Sequence, residues 1–357
     1  MKILIDIGHP AQVHQFKYVY KELLKKGHEV LFTTKDKDIA LYLLDKYKLS
    51  YINLGKPKKG LLNKILYIPN TCFKFLKIII SFKPNIILSR GSIHSSWMSF
   101  LFIKKHVSFA DTEHVGLADT LTVPFVKTKL TAFSYYKDLG INHFRFSGNI
   151  ELFYLHPKRF KPDKSILDFL GVKENEKYAI IRFVSWDAHH DVGLNGITLE
   201  NKILLVKKLV KYAKVFITSE KELPEELEPY KISIPPEKMH DAIYYSSLLV
   251  GESATMASEA AVLGVPSIYI DEVGRGYTDE EGKVGLVYNF KPAQQDKAII
   301  KSEELIKLNS LENYQQINKQ FLNDKIDVTA FTVWFVENYP DSIKTVKENT
   351  DYQYRFK

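Results

Sequence analysis

Residues 248–270 read Leu-Leu-Val-Gly-Glu-Ser-Ala-Thr-Met-Ala-Ser-Glu-Ala-Ala-Val-Leu-Gly-Val-Pro-Ser-Ile-Tyr-Ile. A short apolar run at 248–250 gives way to a turn of small residues at 251–255. Helical spacing follows to about 263, and Gly264 stops it ahead of a second apolar run at 267–270. Strand, helix and strand of these lengths make a βαβ unit, whose two strands lie parallel in one sheet. Ser253 or Thr255 is placed to cap the helix. The small residues Gly251 and Ala254 leave its first N–H groups open, and the positive helix end favours an anion such as a diphosphate. Glu259 stands one turn beyond Thr255 on the same face. A carboxylate there accepts from two vicinal hydroxyls, as a ribose presents. The same spacing also describes a capped helix with a solvated Glu259, and spacing alone favours that plainer reading.

Working outward, the alternation repeats. Upstream lie apolar runs at 178–184, 215–218 and 231–234, with a helical pattern at 199–213. At the start of the chain, 3–7 is a short strand closed by the turn Gly8-His9-Pro10. Residues 11–26 then repeat Val13, Phe16, Val19 and Leu23 at helical spacing and stop at Gly27. Further strands are expected at 29–33, 86–88 and 107–110, a helix at 39–47, and a last amphipathic helix at 327–339. Ser147-Gly148-Asn149 and the prolines behind it read as an interdomain connection. The expected fold is α/β: two Rossmann-like domains with parallel sheets facing across a cleft. Their expected extents are 1–148 and 149–326, with 327–357 packing back on the first. In such sheets ligands sit beyond the C-terminal strand ends, so the polar residues just after each strand are the ones to weigh.

Composition narrows the function classes. The chain has 357 residues, 50 Lys plus Arg against 42 Asp plus Glu, and 45% hydrophobic residues, the profile of a globular protein. The charge is uneven, with 23 basic and 10 acidic residues in 1–148 against 27 and 32 in 149–357. The single cysteine, Cys72, excludes an internal disulfide, and together with the absence of a signal-peptide pattern it points to a cytoplasmic protein. Zinc-type Cys/His spacing is absent, and neither a metal nor a separate cofactor is expected. Residues 56–83 hold seven lysines and no acid, interleaved with Leu, Ile and Phe. Such a segment suits an anionic membrane face or a lipid-linked acceptor; it equally describes a core-facing helix with solvated lysines. No base-reading motif accompanies the charge, so nucleic acid is not an expected partner.

The stretch 253–266 resembles the nucleotide-sugar site of GT-B-fold proteins. Named relatives of that kind are the peptidoglycan lipid-intermediate N-acetylglucosaminyltransferase and the non-hydrolysing UDP-N-acetylglucosamine 2-epimerase. Over about 1–340 the chain also resembles an uncharacterised archaeal and bacterial family of the same fold. The pieces that carry this are Pro10-Ala11-Gln12-Val13-His14-Gln15-Phe16, Leu88-Ser89-Arg90-Gly91-Ser92, Ala110-Asp111-Thr112-Glu113-His114 and 182–193. The resemblance implies that Ser253, Ala254 and Thr255 hold a diphosphate and Glu259 a ribose. It also sets Asp111 and Glu113 near the position of a catalytic acid in the epimerase. The turn at His9 departs from the glycine-rich first loop of the peptidoglycan enzyme, so that enzyme's acceptor contacts do not carry over.

The remaining candidates all follow strands. His9 and His14 flank the first strand-to-helix turn and suit a general base; a tight turn and a packed imidazole are the plainer readings. Arg90, with Gly91 and Ser92, suits phosphate or carboxylate recognition through its planar fork. Asp111 and Glu113 beside an imidazole form an acid/base pattern, as do His190 and Asp191 behind the strand at 178–184. Arg182 is a further phosphate candidate. The expected function is a metal-independent, UDP-sugar-dependent glycosyltransferase in surface polysaccharide or glycolipid assembly, peripheral on the inner membrane face. An epimerase on the same fold is the alternative, and a non-catalytic sugar-nucleotide-binding protein is the third.

Overall fold

A computed structural model describes the chain apart from residues 38, 57–60, 115, 185–195, 220, 221, 309 and 310, and apart from the side chains of 61–66. It divides into two compact units, Met1–Tyr154 with Lys325–Lys357, and Leu155–Asp324.

Among the described residues the first unit holds seven strands. They are β1 (Lys2–Ile7), β2 (Glu29–Thr34), β3 (Tyr51–Asn53), β4 (Ile86–Arg90), β5 (Lys105–Ala110), β6 (Thr128–Ala132) and β7 (His143–Phe146). All pair in parallel, in the order β3-β2-β1-β4-β5-β6-β7. The order reverses at β1, where Ile5 faces Phe32 on one side and Leu88 on the other. Strands covered on both faces need continuous apolar runs, and Ile3, Leu4 and Ile5 are fully buried. Leu4 and Ile87 pack with Leu54 and with Phe75, Ile78 and Ile79 of helix Leu61–Phe82. Phe16 of helix Pro10–Lys25 meets Phe109 and Phe153 at ring distances of 5.6 and 6.0 Å. Fully burying each such ring contributes about 2–3 kcal/mol.

Residues 325–357 complete this unit. Helix Val328–Glu337 buries Phe331, Val333, Phe335 and Val336. Glu337 pairs with Lys26 at 2.6 Å and His28 at 3.0 Å. The amphipathic pattern expected at 327–339 is thus a helix buried over most of its length, and helix Asp341–Glu348 and the 3-10 turn Thr350–Phe356 follow it. Gly148 is needed where this segment docks: a Cβ there would come within 2.9 Å of Val328 Cγ2. Its neighbour Ser147 accepts from the Ile326 N–H at 2.9 Å and donates its own N–H to Gln353 Oε1 at 2.7 Å.

In the second unit the described strands are β8 (Tyr178–Phe183), β9 (Lys214–Ser219), β10 (Leu248–Gly251), β11 (Ser267–Ile270) and β12 (Val287–Phe290). They pair in parallel in the order β12-β11-β10-β8-β9, with the reversal at β8. The strand expected at 231–234 is corrected: only Lys231 bridges, to Ile217. Pro235 and Pro236 directly behind it have no N–H with which to extend a ladder. Helix Ala254–Val262 runs between β10 and β11 as the opening stretch predicts.

Candidate functional site

The turn behind β10 lies beside the reversal of the second sheet, where parallel sheets hold ligands. Gly251 ends the strand because nothing larger fits: its Cβ would lie 2.4 Å from the Arg182 carbonyl oxygen on β8. Glu252 is buried, and its carboxylate accepts the N–H groups of Val184 at 3.0 Å and Ile197 at 2.7 Å. One side chain thereby ties both flanks of the segment carrying 185–195. Ser253 caps helix Ala254–Val262, accepting from the Met256 N–H at 3.4 Å. Ala254 and Thr255 are half-buried in its first turn.

Glu259 is not solvated. It is 5% exposed, and its Oε1 lies 2.9 Å from Nε2 of the equally buried His240 on helix Met239–Tyr244. A buried carboxylate needs such a partner. His240 stands 19 residues away in the sequence, and the pattern around residue 240 carries no sign of the pairing. Behind β11, Asp271 accepts from the hydroxyl of Tyr269 and from the Val273 N–H at 3.1 Å, with Arg275 at 3.7 Å. Burial first, and then Asp271 against the opposing pull of Arg275, pushes the Tyr269 phenol far up. Arg182 is half-buried on β8. His190 and Asp191 lie outside the described residues.

In the first unit the strand ends after β1, β4 and β5 converge. Arg90 is held by Asp111: Nε donates to Oδ1 at 3.0 Å and Nη2 to Oδ2. Its Nη1 also reaches Gln15 Oε1 at 3.5 Å. Gln12 spans from the Gly8 N–H at 2.8 Å to the Arg90 carbonyl at 3.5 Å. The guanidinium fork thus meets a carboxylate of its own chain. Glu113 is 1% exposed on the same loop as Asp111. Both acids help raise the Tyr135 phenol, after burial and Asp119. His9 is exposed and caps helix Pro10–Lys25, its Nδ1 accepting from the Ala11 N–H at 3.2 Å. His14 is buried and packs between Tyr47 and Tyr154, with ring distances of 5.8 and 5.6 Å.

Three residues that the sequence patterns pass over hold this end of the sheet together. Asp6 is buried inside β1 and accepts from Thr33 Oγ1 at 2.7 Å and Ser95 Oγ at 2.6 Å. His94 Nε2 lies 3.0 Å from Asp6 Oδ2, the oxygen that Ser95 also reaches. Burial opposes ionisation of Asp6, but the charge and hydrogen bonds of His94, with Ser92 and Ser95, outweigh it and hold the carboxyl well below its ordinary range. His106 lies beneath, 2.8 Å from both Ser89 Oγ and Ser99 Oγ. Its burial lowers its pKa to about 4, with Asp6 pulling the other way and His94 adding to the fall. Among the described residues no three His, Cys, Asp or Glu side chains stand together as metal ligands. Nor is any described helix long and apolar enough to cross a membrane.

Comparison with known proteins bears on the family and the fold. The family model described as "Protein of unknown function (DUF354)" matches residues 1–275. The uncharacterized protein MJ0665 of Methanocaldococcus jannaschii is 24% identical over 284 residues, covering 75% of this chain and 81% of that protein. Among solved structures, the UDP-GlcNAc 2-epimerase of Neisseria meningitidis bound to UDP-GlcNAc superposes with a TM-score of 0.64 at 14% identity, covering 98% and 99% of the two chains. Spinosyn rhamnosyltransferase SpnG, complexed with spinosyn aglycone, gives 0.61 at 11% identity, covering 95% and 100%. At this identity the likeness is one of fold: two parallel-sheet, Rossmann-like domains of the GT-B type.

Proposed function

The chain belongs to the DUF354 family, and from that premise we propose that it is a GT-B-type glycosyltransferase using a UDP-sugar donor in the assembly of a surface polysaccharide or glycolipid. The observation that supports it most is the buried Glu259, held by His240 at 2.9 Å one turn inside a helix whose half-buried first turn follows β10. Ser253, Ala254 and Thr255 offer backbone N–H groups to the diphosphate, Glu259 accepts from the ribose hydroxyls, and Arg182 adds positive charge. Helix-end dipoles and arginine stabilise the leaving diphosphate without a metal. The first unit supplies the acceptor side, with His14 or Glu113 as base and Arg90, Gly91 and Ser92 toward an anionic group. Attachment to an anionic leaflet falls to helix Leu61–Phe82, where Phe73 and Ile80 are 57% and 61% exposed on either side of Lys77.

A second reading is an epimerase on the same fold. It is supported by Asp111 and Glu113 standing on one loop behind β5, where the resemblance sets a catalytic acid. The test is incubation of the protein with UDP-sugars, with and without membrane lipid extract, following both nucleotide and sugar. UDP released only with an acceptor supports transfer. A changed sugar without UDP accumulation supports epimerisation and overturns the first reading, and intact donor under every condition leaves a binding protein.

A further inference from the structure

Helix Ile93–Leu101 ends in four consecutive large apolar residues that all reach solvent, Phe100, Leu101, Phe102 and Ile103, with Leu101 64% and Ile103 82% exposed. Its last turn closes as a Schellman motif. The Ile103 N–H donates to the Phe100 carbonyl at 3.2 Å, and the Lys104 N–H to the Ser99 carbonyl at 2.8 Å. Ile103 thereby takes the left-handed position, at a φ of 50°. Glycine is the usual residue there, and a β-branched side chain adopts that conformation only under strain. A strained apolar residue that the core does not use points to a use at the surface. Helix Leu61–Phe82 packs alongside, and the two helices end where β4 and β5 begin as neighbours. Ile80 is exposed between Lys77 and Lys83 on the first, and Lys104 and Lys105 follow Ile103 on the second. Between Asp45 and Asp111 the sequence holds twelve Lys and Arg and no Asp or Glu.

We propose that residues 100–103, with Ile80, enter the acyl region of an anionic lipid leaflet while the lysines beside them meet its headgroups. Successive side chains leave a helical turn about 100° apart, so these four fan around the helix end rather than forming one flat face. A fluid acyl layer covers such a turn from every direction, whereas a folded partner covers one side. Lysine is depleted at protein interfaces and is drawn to anionic lipid. Apolar side chains in the lipid with basic ones at its surface are the pairing that holds interfacial segments. Phe100 rests against the Phe125 ring at 5.5 Å, which anchors the turn to the body of the unit. The proposal rests on the reading that helix Leu61–Phe82 lies on an anionic leaflet, and it names the element that enters the lipid.

The test uses the full chain and mixed phosphatidylserine and phosphatidylcholine vesicles. Ile103→Gly relieves the left-handed residue, so its urea midpoint stays at or above that of wild type. Its vesicle affinity falls by about tenfold or more, as expected when one large apolar side chain is withdrawn from lipid. Leu101→Trp adds a reporter whose emission, read against wild type, shifts to the blue and is quenched by brominated acyl chains. Equal affinity of wild type and Ile103→Gly overturns the proposal, as does a reporter that brominated lipid leaves unquenched; if Lys77→Glu still weakens binding, attachment through helix Leu61–Phe82 stands alone. A fall for Ile103→Gly with no response to Lys77→Glu overturns attachment through that helix and keeps the insertion. No vesicle binding by a folded wild type overturns both. A dimer of wild type that Ile103→Gly disperses assigns the turn to a second copy and overturns the lipid.

Discussion

Gly251 shows how one position can serve packing and site at once. Its Cβ would lie 2.4 Å from the Arg182 carbonyl, so Gly251→Ala must part β8 from β10 where their ladder ends. The expected loss is about 1–3 kcal/mol in urea melts, the usual cost of overpacking, with weaker UDP binding as the turn shifts. Glu259→Ala is expected to lower UDP affinity by about tenfold or more, since a hydrogen-bonded charge contributes about 1.5–3 kcal/mol; unchanged affinity would sink the ribose assignment. His106 supplies a pH prediction. Its native pKa of about 4 lies below the ordinary 6.5, so the unfolded chain binds the proton more readily between those values. Stability is therefore full above about pH 6.5 and falls on acidification, by about 2 kcal/mol from pH 7 to pH 5. Urea melts at the two pH values should show the full fall for wild type and a smaller one for His106→Gln, in which His143, also lowered by burial, still titrates. The residues on which these predictions turn were unequally legible. Spacing sets Ser253 at a helix cap and Glu259 one turn beyond Thr255, yet it favours a solvated Glu259, which the structure buries. Asp6, His94 and His240 carry no such sign, because each draws its role from a partner 19 to 89 residues away.

At the scale of elements, the βαβ units were legible wherever a buried strand is a plain apolar run, as in β1, β4, β8 and β10. β6 was not, since Thr128-Lys129-Leu130-Thr131-Ala132 is buried throughout yet mostly polar. Lys129 lies inside only because its ammonium donates to the carbonyls of Val126 at 3.2 Å and Ile141 at 2.9 Å. β3, with three residues, and β7, an edge strand of four, are too short to show a period. The helix Val328–Glu337 was read in place but given too polar a face. Phe331 is 1% exposed and packs at tilted and edge-on angles against Trp334, Phe335 and Phe356. Phe331→Ala should therefore cost about 3–5 kcal/mol, read as a lowered calorimetric transition of the first unit. Glu252→Ala strips the acceptor from two backbone N–H groups on the flanks of 185–195, and a loss of about 1–3 kcal/mol is expected for each group left unmet.

Across the whole molecule the net charge of +8 is a sum of unlike parts, with the excess of lysine concentrated before residue 149. Salt distinguishes the uses of that charge. The proposed binding to phosphatidylserine vesicles through the exposed Lys77 and its neighbours should fade as ionic strength rises. Sedimentation with vesicles at low and high salt checks this, and Lys77→Glu should weaken the low-salt binding. The proposed UDP site, resting on backbone N–H groups and a buried carboxylate, should respond far less.

The split of the first unit has a consequence for how the protein is made. Leu155–Asp324 is one uninterrupted piece, whereas the unit that precedes it borrows Lys325–Lys357 from beyond it. On the ribosome, residues 1–154 emerge before the second unit yet wait, without Phe331, Phe335 or the Gln353 side chain that accepts from the Ser147 N–H at 2.7 Å, until all of the second unit has been translated. The domain begun first is therefore finished last, and its unfinished apolar face is the surface that the nascent chain must keep from aggregating in the interval.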